Sequence, residues 1–334
     1  MEQIYTHPEN FTLESGEQLE NLAINYHQYG KPNASQSNVI WVFHPLTSNS
    51  DVETWWPGLF GVDAIFDVNK HCVICANTIC SPYGTTAPSD LAFPAISLRD
   101  IVNAHIKLAD YLGIRRIKTA IGGSFGGAQA LEFAYAFDGH IDQLVVMACL
   151  AKETAWGVAL HEAQRMALKA DASFGDKGKG KEGLKAARAI GLMTYRTAEG
   201  FIQSQTGQNE QGEFKANTYL QYQGDKFVNR FDSLAYYYLS HCLDSHDIGR
   251  GRSGVDVALG KLRMPTLIIG IPNDLLIPIG EVKMMAEAIP RATLVTLNSI
   301  YGHDGFLIES EKISSMLLEF TAENTKKICC AHAV

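Results

Sequence analysis

Residues 117–137, IKTAIGGSFGGAQALEFAYAF, restrict the fold more than any other part of this chain. An apolar run of strand character, IKTAIG, passes into a helical pattern, GAQALEFAYAF, through four glycines that surround one serine. Glycine costs chain entropy when it is ordered, so a cluster of this density marks a turn too tight for side chains. A strand that enters a helix through such a turn is one βα unit. Further runs of the same kind extend the pattern: VIWVF (39–43), CVICAN (72–77), LVVMA (144–148), TLIIGI (266–271) and ATLVTL (292–297). Unbroken apolar runs of this length match parallel strands buried on both faces. Helical periodicity at 97–114 and 280–289 alternates with them. The alternation predicts a doubly wound, mostly parallel sheet. FTLESGEQL and LAINYHQYG look like an antiparallel hairpin leading into it.

The rhythm breaks between residues 151 and 255, which read as mostly helical, with polar glycine-rich loops at 175–183 and 206–214. The lysine-glycine segment GDKGKGKEG has neither the preceding strand nor the spacing of a phosphate-binding loop. The expected organisation is an α/β core formed by residues 1–150 and 256–334, with residues 151–255 inserted as a helical cap.

The 334 residues are 46% hydrophobic and 19% charged, an ordinary globular composition with enough chain for a substantial core. A net charge of −8 argues against nucleic acid or an anionic membrane surface as the main partner. No apolar run approaches the length of a bilayer span, and the N-terminal segment is polar throughout. The seven cysteines are scattered; Cys72, Cys75, Cys80 and Cys149 read as core filler, and Cys329 and Cys330 are adjacent in the tail. A cytoplasmic, reduced protein is expected, with no metal site and no bound cofactor.

Gly122-Gly123-Ser124-Phe125-Gly126 matches G-x-S-x-G, with the required strand before it and helix after it. The turn holds the serine backbone in a strained conformation, lifts its hydroxyl above the sheet and places it at a helix N-terminus, where developing negative charge is favoured. A serine at its free pKa needs a base, and the base needs an orienting group. In chain order these would be an Asp or Glu, then a His. Asp274 follows the run at 266–271 and His303 follows the run at 292–297, so both loops open on the sheet edge that carries Ser124. Taken singly, Asp274 also reads as a turn or cap residue and His303 as an ordinary loop histidine. His44 precedes the site in the chain, and His161, His241 and His246 fall in the inserted region. Two N–H groups are needed for the oxyanion. One is expected from Phe125, and the other from the loop HPLTSNS, with Leu46 or Thr47 as donor.

The chain resembles the homoserine O-acetyltransferases of the α/β-hydrolase fold, from about residue 11 to about residue 312. HPLTSNS followed by WW is similar to the family's HALTG…WW, SPYGTTAPS to its YGSTGPSS, and GGSFGGAQALEFA to its GGSMGGMQALEWA. TYR, YLQYQGDKFVNRFD, YYYLSHCLDSHDIGRGR and YGHDGFL are also similar, and a generic esterase has no reason to carry the middle two. The resemblance implies Ser124, Asp274 and His303 as a catalytic triad. It also implies that Arg196 and Asp304 bind the amino-acid acceptor, with acetyl-CoA as cosubstrate and a homodimer formed through the cap. An arginine fork suits the carboxylate of zwitterionic homoserine, and a carboxylate suits its ammonium group. From the residues alone, Arg196 is equally a surface residue and Asp304 a loop cap. Lys226, Arg230, Arg250 and Arg252 are candidates for CoA phosphates or for salt bridges.

The sequence departs from the pattern at Phe125 and Ala128, where the family has methionines, at Pro45, where it has alanine, and at SNS in the oxyanion loop. Gln203 lies in a region where a tyrosine is common. These positions leave succinyl-CoA as donor and L-serine as acceptor as alternatives. An esterase or thioesterase of the same fold, with water as acceptor, is the other.

Overall fold

The computed structural model describes residues 1–331 and the side chains of residues 1–324; the side chains of Cys329 and Cys330 lie outside these limits. The strands are β1 (Glu2–Thr6), β2 (Phe11–Thr12), β3 (Gln18–Leu19), β4 (Ala23–Tyr29), β5 (Val39–Phe43), β6 (Cys72–Ala76), β7 (Arg116–Gly123), β8 (His140–Met147), β9 (Thr266–Gly270) and β10 (Ala292–Thr296). Eight of them form one sheet in the order β1-β4-β6-β5-β7-β8-β9-β10. From β6 to β10 all neighbours are parallel, while β4 runs antiparallel to both β6 and β1.

Each buried strand feeds two cores. In β5 the pleat sends Val39, Trp41 and Phe43 to one face and Ile40 and Val42 to the other. The first face is covered by α2 (Leu98–Tyr111) and α3 (Phe125–Ala136), with the Phe133 ring stacked on Trp41 at 5.7 Å. α2 starts at Ser97, which exchanges a reciprocal capping box with Asp100. The second face is covered around Trp56, Phe66, Phe306 and Leu317. Trp56 follows the short α1 (Val52–Trp55), and Leu317 lies on α12 (Ser310–Ala331). Cys72 and Cys75 fall on opposite faces of β6, so their C-x-x-C spacing unites no shared ligand.

Between β8 and β9 the chain runs through α4 (Ala155–Ala170), α5 (Lys181–Tyr195), α6 (Ala198–Gln205), α7 (Lys215–Val228), α8 (Ser233–Asp244) and α9 (Val255–Leu259). α10 (Ile279–Ala288) joins β9 to β10, and α11 (Gly305–Ile308) precedes α12. No described helix is long and apolar enough to cross a membrane.

The expected hairpin is only partly present. β2 and β3 pair with each other in a separate two-stranded sheet, and β4 pairs with β1 instead. EQIYT has one buried residue in five, so its strand character comes from the edge it pairs with and not from apolar content. Chain order turns at β5, with β6 on one side and β7 on the other. Ligands of open α/β sheets lie outside the strand C-termini at such a switch point, where Ser124 follows the end of β7.

Trp41 is fully buried, and its indole N–H has no partner. Trp41→Ala should lower the unfolding free energy by about 3–5 kcal/mol in urea titrations. Trp41→Phe should cost clearly less, because it removes an unpaired donor while keeping a ring.

Candidate active site

Ser124 sits between β7 and α3 with φ +54° and ψ −124°, a strained conformation for a residue with a side chain. Its amide donates to Met147 O of β8 at 2.8 Å, and its carbonyl accepts from Gly127 and Ala128. The glycines are accounted for by close approach. A Cβ on Gly122 would overlap the backbone of Gly126, and one on Gly126 would overlap the Phe43 carbonyl.

The three residues expected to act together are in contact. His303 Nε2 lies 2.8 Å from Ser124 Oγ, and His303 Nδ1 lies 2.7 Å from Asp274 Oδ2. His303 occupies a short 3₁₀ turn after β10, and Asp274 follows β9. The other Asp274 oxygen accepts from the amides of Leu276 and Ile277 at 2.8 and 2.9 Å, which fixes the carboxylate. The carboxylate only accepts, so Nδ1 carries the proton and Nε2 offers its lone pair to the serine hydroxyl. Burial alone would push the imidazole down. The Asp274 carboxylate, aided by Asp304 and Glu153, outweighs burial and raises His303 above its ordinary 6.5. The arrangement can take a proton from Ser124 as its oxygen attacks a carbonyl carbon.

Leu46 and Phe125, the two expected oxyanion donors, lie on facing segments. Gln129 of α3 donates to both the His44 and the Phe125 carbonyls at 3.3 Å, tying the loop after β5 to the first turn of the helix. His44 is fully buried. It accepts the Thr78 amide on Nε2 at 3.1 Å, so its Nδ1–H must donate to Pro45 O, 2.8 Å away. Burial pushes it down to about 4, which keeps it neutral. That bond fixes the plane of the Pro45–Leu46 peptide and hence the direction of the Leu46 N–H. His44 is therefore no rival base. Nor is His246, pushed down to about 4 by burial and bound through Nε2 to Leu150 O.

Arg196 and Asp304 also come together. Arg196 Nε lies 2.9 Å from Asp304 Oδ2, an ion pair without hydrogen-bond alignment, and its guanidinium packs over Tyr301. A cavity of about 220 Å³ opens beside Arg196, lined also by Gln203, Phe201 and Tyr219. Three of the four basic residues considered for phosphate binding are engaged within the chain. Arg250 pairs with Glu14 at 2.7 Å, Arg252 with Glu132, and Arg230 donates to Thr47 O at 2.6 Å; Lys226 is exposed.

Sequence reasoning missed Glu153. It lines a cavity of about 20 Å³ together with Ser124, Phe125, Ala128 and His161. His161 lies in the inserted region, and its Nδ1 is held by Asp244 at 2.7 Å. Glu153 precedes α4 by two residues, and no spacing signal links it to Ser124.

The acylation rate should fall as pH drops through a limb above 6.5, because His303 must be neutral to accept the serine proton. Asp274→Asn should move that limb down and slow acylation by on the order of 10⁴-fold. His44→Ala should slow it by up to about 10²-fold with a smaller change in KM, since one oxyanion donor loses its orientation. Stopped-flow release of p-nitrophenol from p-nitrophenyl acetate measures both.

A model of the alpha/beta hydrolase fold matches residues 38–309. The chain is 40% identical over 336 residues to the homoserine O-acetyltransferase of Cyclobacterium marinum, covering 97% of this chain and 96% of that one. Among solved structures, homoserine O-acetyltransferase from Staphylococcus aureus superposes with a TM-score of 0.82 at 29% identity, covering 95% of each chain. Esterase E22 superposes with a TM-score of 0.87 at 20% identity, over 96% of this chain and 99% of that one, a likeness of fold alone. The strand order, the serine at its switch point and a relative matched over nearly the whole length agree: the chain belongs to the homoserine O-acetyltransferase family of the α/β-hydrolase fold.

Proposed function

We propose that the protein transfers an acetyl group from acetyl-CoA to the side-chain hydroxyl of L-homoserine, by a ping-pong mechanism on Ser124. The observation that carries this reading is the Arg196–Asp304 ion pair, because Asp304 directly follows His303. A water-using esterase has no need of a paired cation and anion beside its base. An amino-acid acceptor brings one of each: its carboxylate replaces Asp304 as partner of Arg196, and its ammonium replaces Arg196 as partner of Asp304.

In the first half-reaction Ser124 Oγ attacks the thioester carbonyl and its proton passes to His303 Nε2. The tetrahedral oxyanion is held by the Leu46 and Phe125 amides at the N-terminus of α3. Collapse expels CoA, which takes the proton from His303. In the second, the homoserine hydroxyl gives its proton to His303 and attacks the acetyl-serine carbonyl. Collapse returns the proton to Ser124 Oγ and releases O-acetylhomoserine. The 151–255 insertion acts as a cap that admits the acceptor and limits water at the acyl-enzyme. Two groups at the site come from it, Arg196 at the end of α5 and Glu153 before α4.

Arg196→Ala and Asp304→Asn should each raise KM for homoserine by about 10- to 100-fold, the cost of one charged hydrogen-bonding partner. In single-turnover assays the loss should fall on deacylation more than on acylation. CoA release that is as fast without homoserine as with it would make the protein a thioesterase.

A further inference from the structure

The cavity beside Ser124 is lined in part by a group that the catalytic cycle does not use. An acyl group on Ser124 Oγ has to extend into the space this serine lines, and that space amounts to about 20 Å³. So little free space favours a short acyl group over a long one. Three of its walls cannot give. Phe125 and Ala128 belong to the first turns of α3 and Cys149 follows β8; all three are buried to within 2% exposure. A fourth wall is different in kind. Glu153 arrives from the segment between β8 and α4, and its Oε1 accepts the Thr154 amide at 2.8 Å. Its carboxylate is folded over the N-terminus of α4 so closely that a Cβ on Gly157 would overlap it. The positive end of α4 favours that placement.

The polar groups around it are fixed as well. His161, on the same cavity, is held through Nδ1 by Asp244, and Asp244 is paired at 2.6 Å with the buried Arg165. Arg165 is thereby committed to Asp244, to Glu162 and to Ser240, and it is not the counter-ion of Glu153. A longer acyl chain would have to displace the Glu153 side chain. One that ends in its own carboxylate would also bring a second negative charge into a partly desolvated space.

The geometry points to Glu153 as the specificity-determining residue of the acyl pocket: its carboxylate narrows the space beside Ser124, favouring acetyl as donor and disfavouring acyl chains that carry a terminal carboxylate. This deepens the proposed reaction and rests on Ser124 being the acylated residue.

The test is an acyl panel on the wild type, Glu153→Gln and Glu153→Ala, each checked for folding by its thermal melt. Acetyl-, butyryl- and succinyl-CoA are assayed with homoserine, and p-nitrophenyl acetate and butyrate without it. The wild type should prefer acetyl to butyryl by about 100-fold, in the range that one or two methylenes command in a tight pocket. Glu153→Ala should narrow the acetyl-to-butyryl ratio about tenfold or more with both CoA and p-nitrophenyl donors. Glu153→Gln, which keeps the size and removes the charge, should raise succinyl relative to butyryl. Wild-type ratios retained in the folded variants would overturn the assignment, as would a wild type that uses succinyl-CoA as readily as acetyl-CoA. If Glu153→Ala does not fold, the glutamine variant and the wild-type panel still decide it. The p-nitrophenyl esters bypass both CoA and homoserine. A shifted ester ratio in a protein that never acylates homoserine would therefore sink the proposed reaction and leave the pocket assignment standing.

Discussion

The structure depends on the crossing of β7 and α3 at Ser124. A Cβ on Gly122 would strike the first turn of α3, one on Gly126 would strike the end of β5, and Ser124 between them is held at φ +54°. Everything chemical follows from that turn. It raises Oγ out of the sheet and leaves the Phe125 amide at the open end of a helix. It also brings the segment 43–46 against α3, where Gln129 and His44 lock its carbonyls. Asp274 and His303 reach the serine because β9 and β10 are parallel to β7 and end on the same edge.

The site is built in two layers with separate tasks. The sheet edge supplies the nucleophile, the base, its carboxylate and the amides, held by buried strands and backbone hydrogen bonds. The inserted helices supply charge: Arg196 at the end of α5 and Glu153 ahead of α4. Arg196 and Asp304 neutralise each other within the chain, so a zwitterion can exchange partners with them without leaving a net buried charge. On the proposed reading, the elbow accepts the acyl group, and Arg196 with Asp304, and Glu153, bear on where it goes and what it is.

Much of this was legible in the chain because its cause is local. Buried parallel strands require continuous apolar runs, so the runs from residue 39 to residue 271 marked five of the six parallel strands to within a few residues; the sixth, β10, is an edge strand with no buried residue, although its run reads as a buried one. The turn chemistry pointed to Ser124 and the order of loops along a parallel sheet to Asp274 and His303, and the fold brings these three side chains into contact. What stayed hidden depends on distant partners. β1 is a polar edge strand whose identity comes from β4. Arg250 and Arg252 are bound to Glu14 and Glu132, more than a hundred residues away, a pairing that no spacing rule encodes. Glu153 shares a cavity with Ser124 only because the segment after β8 returns to the sheet edge.

The central claim is that Ser124 holds an acyl group and yields it to an amino-acid hydroxyl. Its most direct measurement is intact-protein and peptide mass spectrometry of enzyme mixed with acetyl-CoA, followed by addition of homoserine. The account predicts a single acetyl group on Ser124, stable against water over the time homoserine needs to discharge it, and its recovery as O-acetylhomoserine. An enzyme that never carries the acetyl group on Ser124, or one whose acetyl group leaves at the same rate with and without homoserine, would contradict it.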